Sequence, residues 1–99
     1  MMNNEDHLKV LNKINKEKKI SQRLLSKKLG ISLGKINYCL KELKKKGFVK
    51  IRNFNQSKKK IKYLYVLTPK GLQQKTKITI KFMKQKMQEY ESLKKDLEN

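Results

Sequence analysis

Ile20-Ser21-Gln22-Arg23-Leu24-Leu25-Ser26-Lys27-Lys28-Leu29-Gly30-Ile31-Ser32-Leu33-Gly34-Lys35-Ile36 is the stretch that decides the architecture. Leu24, Leu25 and Leu29 recur at helical spacing after Ser21, and Gly30 stops that run. Ser32 restarts it, and Ile36, Leu40 and Leu43 line one face as far as Gly47. The spacing predicts helices over about 22–29 and about 33–46. Gly30-Ile31-Ser32 is then the three-residue turn of a helix-turn-helix.

The same local grammar marks three helix starts. Ser21, Ser32 and Thr68 each occupy an N-cap position, where a hydroxyl accepts a bond from an otherwise orphaned backbone N–H. Each is preceded by an apolar residue and followed by another at the fourth helical position: Ile20 with Leu25, Ile31 with Ile36, Leu67 with Leu72. That pairing is the hydrophobic staple. Pro69, directly after Thr68, suits the first helical position because its missing N–H has no partner there anyway.

Outward from this centre the pattern changes. Upstream, Leu8, Val10, Leu11 and Ile14 form a helical stripe within residues 5–18. Downstream, Phe48 to Arg52 and Ile61 to Leu67 are β-branched and aromatic with partial alternation, which predicts two strands. The polar segment Asn53 to Lys60 joins them, giving a β-hairpin with a long basic tip. A helix-turn-helix followed by such a hairpin is a winged helix. From Pro69 onward Leu72, Thr76, Ile80, Met83, Met87, Tyr90 and Leu97 fall on three-four spacing, which predicts one helix of roughly 40 Å. The expected fold is therefore mainly α with a small β-hairpin: a winged helix-turn-helix over 1–68 and a long C-terminal helix over 69–99. Residues 5–68 are expected to close their own core, so a chain ending at Thr76 is expected to stay folded. The apolar stripe of the long helix needs a partner surface, and a second copy of itself is the simplest one. Leu72, Ile80, Met83, Met87, Tyr90 and Leu97 are the expected dimerisation residues.

Charge narrows the function. The 99 residues carry 27 Lys plus Arg against 8 Asp plus Glu, a formal net charge of +19. Between Leu43 and Gln88 there are 15 basic residues and no acidic one, whereas Glu89, Glu91, Asp96 and Glu98 cluster at the end. A field this positive suits a polyanionic partner: nucleic acid, an anionic membrane surface or an acidic protein. The excess of Lys over Arg, with abundant Asn and Ile, matches the usage of an A/T-rich genome. That usage would also favour Glu, which is scarce, so the basic surface is read as functional. No run approaches the roughly 20 apolar residues that span a bilayer. Met1 to Asp6 shows no signal-peptide pattern, so a cytoplasmic protein is expected. The single Cys39, beside the core stripe, is expected to be a buried inert thiol rather than a redox sensor.

Catalytic patterns are missing. Gly30-Ile31-Ser32-Leu33-Gly34-Lys35-Ile36 is one residue short of a phosphate loop and lacks Ser or Thr after the Lys. His7 and Cys39 cannot assemble a metal site, and the acids are too few for paired-carboxylate chemistry. No enzyme activity, metal or cofactor is expected.

Several segments together resemble the MarR-type winged-helix transcriptional regulators. They are Ser21 to Ser32, Asn37-Tyr38-Cys39-Leu40-Lys41-Glu42-Leu43, Lys46-Gly47-Phe48-Val49, and Leu67-Thr68-Pro69-Lys70-Gly71. Phe82-Met83-Lys84 and Glu89 to Lys94 are similar to the small subgroup of EPS-associated regulators found near exopolysaccharide gene clusters. The resemblance implies a dimeric DNA-binding regulator. Two features differ from most of that family: a leading dimerisation helix is missing, and the wing carries Lys and Asn in place of Asp and Arg.

If Ile36, Leu40 and Leu43 face the core, then Lys35, Tyr38 and Lys41 face outward, flanked by Ser32, Leu33, Gly34 and Asn37. A recognition helix presents its N-terminal residues to base edges in the major groove. Asn37 suits adenine and Lys35 guanine, Gly34 permits close approach, and Tyr38 suits sugar or phosphate. Lys58, Lys59, Lys60 and Lys62 of the wing suit phosphate or the minor groove. The expected partner is double-stranded DNA. The alternatives are a non-specific basic nucleic-acid-binding protein and a winged-helix protein-interaction module.

Overall fold

A computed structural model describes residues 4–57 and 60–98. In chain order it contains α1 (Asn4–Glu17), α2 (Gln22–Leu29), α3 (Leu33–Lys45), β1 (Val49–Ser57), β2 (Lys60–Leu67) and α4 (Pro69–Glu98). All three N-caps form. Ser21 Oγ accepts from the Leu24 N–H at 3.2 Å, Ser32 Oγ from the Lys35 N–H at 3.3 Å and Thr68 Oγ1 from the Gly71 N–H at 3.0 Å. Gly30 ends α2 in the left-handed region with φ 65°, and Gly47 follows α3 with φ 80°. After α3 the Phe48 N–H reaches back to the Leu43 carbonyl at 2.9 Å and the Gly47 N–H to Lys44 at 3.0 Å. This Schellman pair satisfies carbonyls that the helix end leaves open.

The strands are antiparallel, in register from Val49 opposite Leu67 to Asn55 opposite Ile61, with a shift before Ser57 meets Lys60. An isolated bridge adds Ile20 to the free edge of β2: Tyr65 N–H donates to the Ile20 carbonyl at 2.8 Å, and Ile20 N–H returns to Tyr65 at 3.2 Å. The bridge ties the α1–α2 connection to the hairpin. The hairpin differs from expectation in its extent. Asn53 to Ser57 belong to β1, so the long polar connection is mostly paired strand. The ladder is made of backbone hydrogen bonds that any residue except Pro supplies, so it continues where the apolar pattern stops.

The core gathers Val10, Leu11 and Ile14 of α1, Ile20, Leu25 of α2, Ile36, Cys39, Leu40 and Leu43 of α3, Val49 of β1 and Ile78 of α4. Ile78 reaches this core from α4, beyond residues 5–68. Only 6% of it is exposed, Gly71 is also buried, and Phe82 packs against the same cluster. The first turns of α4 thus add to the core against α1. A chain ending at Thr76 would lose a large buried aliphatic side chain, a change that costs about 2–5 kcal/mol.

Beyond Phe82 every α4 residue through Glu98 is exposed. These 16 residues project about 24 Å at 1.5 Å per residue. The radius of gyration is accordingly 16.8 Å and the longest extent 68 Å, against about 13 Å expected for a compact chain of this length.

The α4 start is fitted closely to the end of α3. A β-carbon added at Gly71 would lie 1.9 Å from the Phe48 carbonyl oxygen and 2.8 Å from Leu67 Cδ1. Backbone cannot move aside as a side chain can. Gly71→Ala is therefore expected to destabilise the protein by about 1–3 kcal/mol, read as a lower urea midpoint at unchanged slope.

Candidate nucleic-acid interface

At about 100° per residue, the core row of α3 (Ile36, Leu40, Leu43) lies opposite a row made of Gly34, Tyr38, Lys41 and Lys45. Tyr38 is 47% exposed and Leu33 44%. Lys35 and Lys41 are exposed, and Asn37, on the flank, is half-buried. Ser32 is exposed, with its oxygen engaged in the cap. Ser32, Leu33, Gly34, Lys35, Tyr38 and Lys41 are thus exposed and Asn37 half-buried, with Gly34, Tyr38 and Lys41 on one row, Lys35 to one side of it and Leu33 and Asn37 to the other. Lys45 and Lys46 were missed by the sequence reading. With Tyr38, Lys41 and Glu42 they line a shallow groove of about 590 Å³. Lys45 falls four residues after Lys41 and seven after Tyr38, so helical arithmetic alone would have found it.

Of the wing residues, Lys58 and Lys59 lie outside the described residues. Lys60 and Lys62 are placed by backbone on β2, opposite Ser57 and Phe54, and their side chains lie outside the description.

Two acids, Glu42 and Glu17, stand beside basic side chains. Glu42 is the single acidic residue between Lys18 and Gln88. Its carboxylate stands 3.7 Å from His7 Nε2 of α1, a buried atom with no hydrogen-bond partner among the described residues. Glu17 accepts a hydrogen bond from Lys28 Nζ, which, with the charges of Lys28 and Lys13, holds its carboxyl below the ordinary value against a desolvation that raises it. Among the described residues no group of three His, Cys, Asp or Glu could hold a metal ion, and no helix is long and apolar enough to cross a membrane.

On α4, Met83, Met87 and Tyr90 come together with Thr79, Phe82, Lys86 and Leu8 of α1 around an open, almost wholly apolar groove of about 580 Å³. Leu72, Ile80 and Leu97 are exposed outside it, Leu97 at 89%. The expected stripe is thus bare along its length, and Leu8 and Phe82 are additions to it that only the packing of α1 on α4 reveals.

Residues 4–50 match the family described as winged helix-turn-helix DNA-binding. A search of curated proteins returns no match. Six chains among solved structures match. One is the oxidized form of MarR from E. coli, at 24% identity and a TM-score of 0.66, over 85% of this chain and 60% of that one. The chain thus spans less than two thirds of that protein. The likeness establishes the fold as a winged helix-turn-helix with a long following helix.

Cys39 is fully buried. Desolvation first, then the nearby charges of Glu42 and Asp6, push its thiol up to about 12. At pH 8 this leaves on the order of one thiolate in 10⁴ molecules, against about a quarter for a free thiol. Iodoacetamide at pH 8 is therefore expected to leave Cys39 unmodified in the folded protein and to alkylate it in denaturant, as read by mass spectrometry.

Proposed function

We propose that this protein is a sequence-specific DNA-binding transcriptional regulator of MarR type, working in the cytoplasm as a homodimer. The observation that carries this reading is α3, along which Leu33, Lys35, Tyr38, Lys41 and Lys45 are exposed, Tyr38, Lys41 and Lys45 on the row opposite the core. The family match over residues 4–50 supports it, as does the net charge of +19. In this reading α3 enters the major groove. Lys35 pairs with guanine and Asn37 with adenine, while Tyr38, Lys41 and Lys45 hold sugar and phosphate. Lys58, Lys59, Lys60 and Lys62 add phosphate contacts that strengthen binding without reading sequence. The resemblance of the tail to the EPS-associated subgroup supports exopolysaccharide genes as the targets.

Selection of bound duplexes from a random pool tests the reading. A regulator is expected to prefer its enriched site over random DNA by about 10³ or more. A non-specific coating protein would enrich nothing, and a protein-interaction module would bind neither. Asn37→Ala is expected to cost about 1–3 kcal/mol on the enriched site and much less on random DNA. Equal losses on both would overturn base reading by this helix.

The dimer follows from the tail. Each large side chain left bare along α4 forfeits about 1.5–3 kcal/mol that burial would supply. A second copy of the same stripe is the partner of matching length and composition. The charge gradient favours antiparallel pairing, because Glu89, Glu91 and Glu98 would then approach Lys75, Lys77 and Lys81 of the other helix. Two identical half-sites would lie about 10 bp apart, or a multiple of that. The informative truncation falls after Lys84 rather than Thr76, since it keeps Ile78 and Phe82. The shortened chain is expected to stay folded, to sediment as a monomer at micromolar concentration and to bind DNA much more weakly. A full-length chain that sediments as a monomer would overturn the dimer.

A further inference from the structure

Two adjacent exposed positions in the first turn of α3 have no packing role among the described residues. Leu33 is 44% exposed and takes no part in the core cluster or in the layer of apolar side chains packed against it. Gly34 follows with ordinary helical backbone, and a β-carbon built there meets nothing within 4 Å. The contrast with Gly71 is direct: there the β-carbon space is filled by the Phe48 carbonyl oxygen, so internal packing requires the glycine. At Gly34 no internal group requires it, yet glycine stabilises a helix less than alanine does. What the bare position makes room for lies outside the molecule.

The surroundings say what kind of group that is. Leu33 and Gly34 are adjacent in the first turn of α3, between Ser32 and Lys35; Gly34 lies on the row of Tyr38 and Lys41, and Leu33 projects about 100° to one side of it. The edges of base pairs in the major groove are hydrogen-bonding groups, except for the C5-methyl group of thymine. A leucine side chain beside a bare backbone step can enclose that methyl, and it offers nothing to the polar edges of guanine, cytosine or adenine.

We propose that Leu33, set beside the open surface of Gly34, seats on the 5-methyl group of a thymine in each half-site, which makes Leu33 a specificity-determining residue. The inference rests on the DNA-binding reading above and names one base that the helix selects.

The probe is the duplex recovered by random-pool selection, with each thymine replaced in turn by deoxyuridine, a change that removes only the methyl group. One thymine per half-site is expected at which the replacement weakens wild-type binding about three- to five-fold, the scale of one buried methyl group. In Leu33→Ala the same replacement is expected to have no effect, which closes a double-mutant cycle between the side chain and the methyl. Gly34→Ala supplies a second measurement. It is expected to raise the urea midpoint of the free protein and to bind the thymine site several-fold more weakly. An enriched site that lacks thymine, is insensitive to deoxyuridine throughout, or keeps its full penalty in Leu33→Ala overturns the inference alone. A selection that enriches no sequence overturns the regulator reading and this inference with it.

Discussion

Thr68 joins three elements at one point. Its hydroxyl donates to the Gly47 carbonyl at 2.6 Å and accepts from the Gly71 N–H at 3.0 Å, while its own N–H donates to the Phe48 carbonyl at 3.0 Å. Gly47 and Phe48 finish α3, Leu67 finishes β2, and Pro69 opens α4. The same Phe48 carbonyl presses into the space left by Gly71, and Lys70 Nζ sits 5.5 Å over the Phe48 ring. One side chain thus caps the long helix and fixes its direction relative to α3. A long helix amplifies any change in that direction: over the roughly 45 Å of a 30-residue helix, a small tilt at Thr68 becomes a displacement of several ångströms at Glu98.

Charge sets the second constraint. A net charge of +19 on 99 residues repels itself in the compact state. Within the winged helix two acids stand beside basic side chains, Glu17 beside Lys28 at the surface and Glu42 at 3.7 Å from His7. Glu42 matters more, because it sits among Tyr38, Lys41, Lys45 and Lys46, where an unopposed carboxylate would repel phosphate. His7 on α1 stands beside it. Arrival of a polyanion relieves the remaining repulsion, so charge that weakens the free protein strengthens its complex.

The helix boundaries were legible because they depend on local chemistry: a hydroxyl at Ser21, Ser32 or Thr68, an apolar staple around it, and glycine where the chain turns left-handed at Gly30 and Gly47. The length of β1 was not, because strand pairing through Asn53 and Asn55 depends on backbone and leaves no apolar signature. The role of Ile78 was hidden for a different reason. Helix α4 carries two apolar rows about 100° apart. The longer row, Leu72, Met83 and Tyr90, dominates the sequence pattern but faces solvent. The shorter row, Gly71, Ile78 and Phe82, makes the core contact, and a glycine at its head weakens it as a hydrophobic signal. Periodicity shows that a helix has an apolar face but not which face meets its own domain. On α3 the outward surface was legible as far as Lys41, since a single unbroken core row fixes its opposite; Lys45 lies on the same row, one turn further along.

Those two rows also give the tail its mechanical character. Ile78 and Phe82 lock the first turns of α4 to α1, while Met83, Met87 and Tyr90 begin the exposed stripe within one turn of that lock. Leu8 of α1 contributes to the groove around Met83 and Tyr90, so the exposed apolar surface is built from the same two helices that close the core. A partner helix seated there would press on α1 as well as α4. Helix α1 in turn supports α3, through Val10, Leu11 and Ile14 in the shared core and through His7 beside Glu42. The tail groove and α3 are therefore joined through one packed unit. Closely packed interiors transmit strain rather than dissipate it, and here Leu8, Phe82 and Ile78 on the tail side and Ile36, Leu40 and Leu43 of α3 belong to or pack against the same buried cluster.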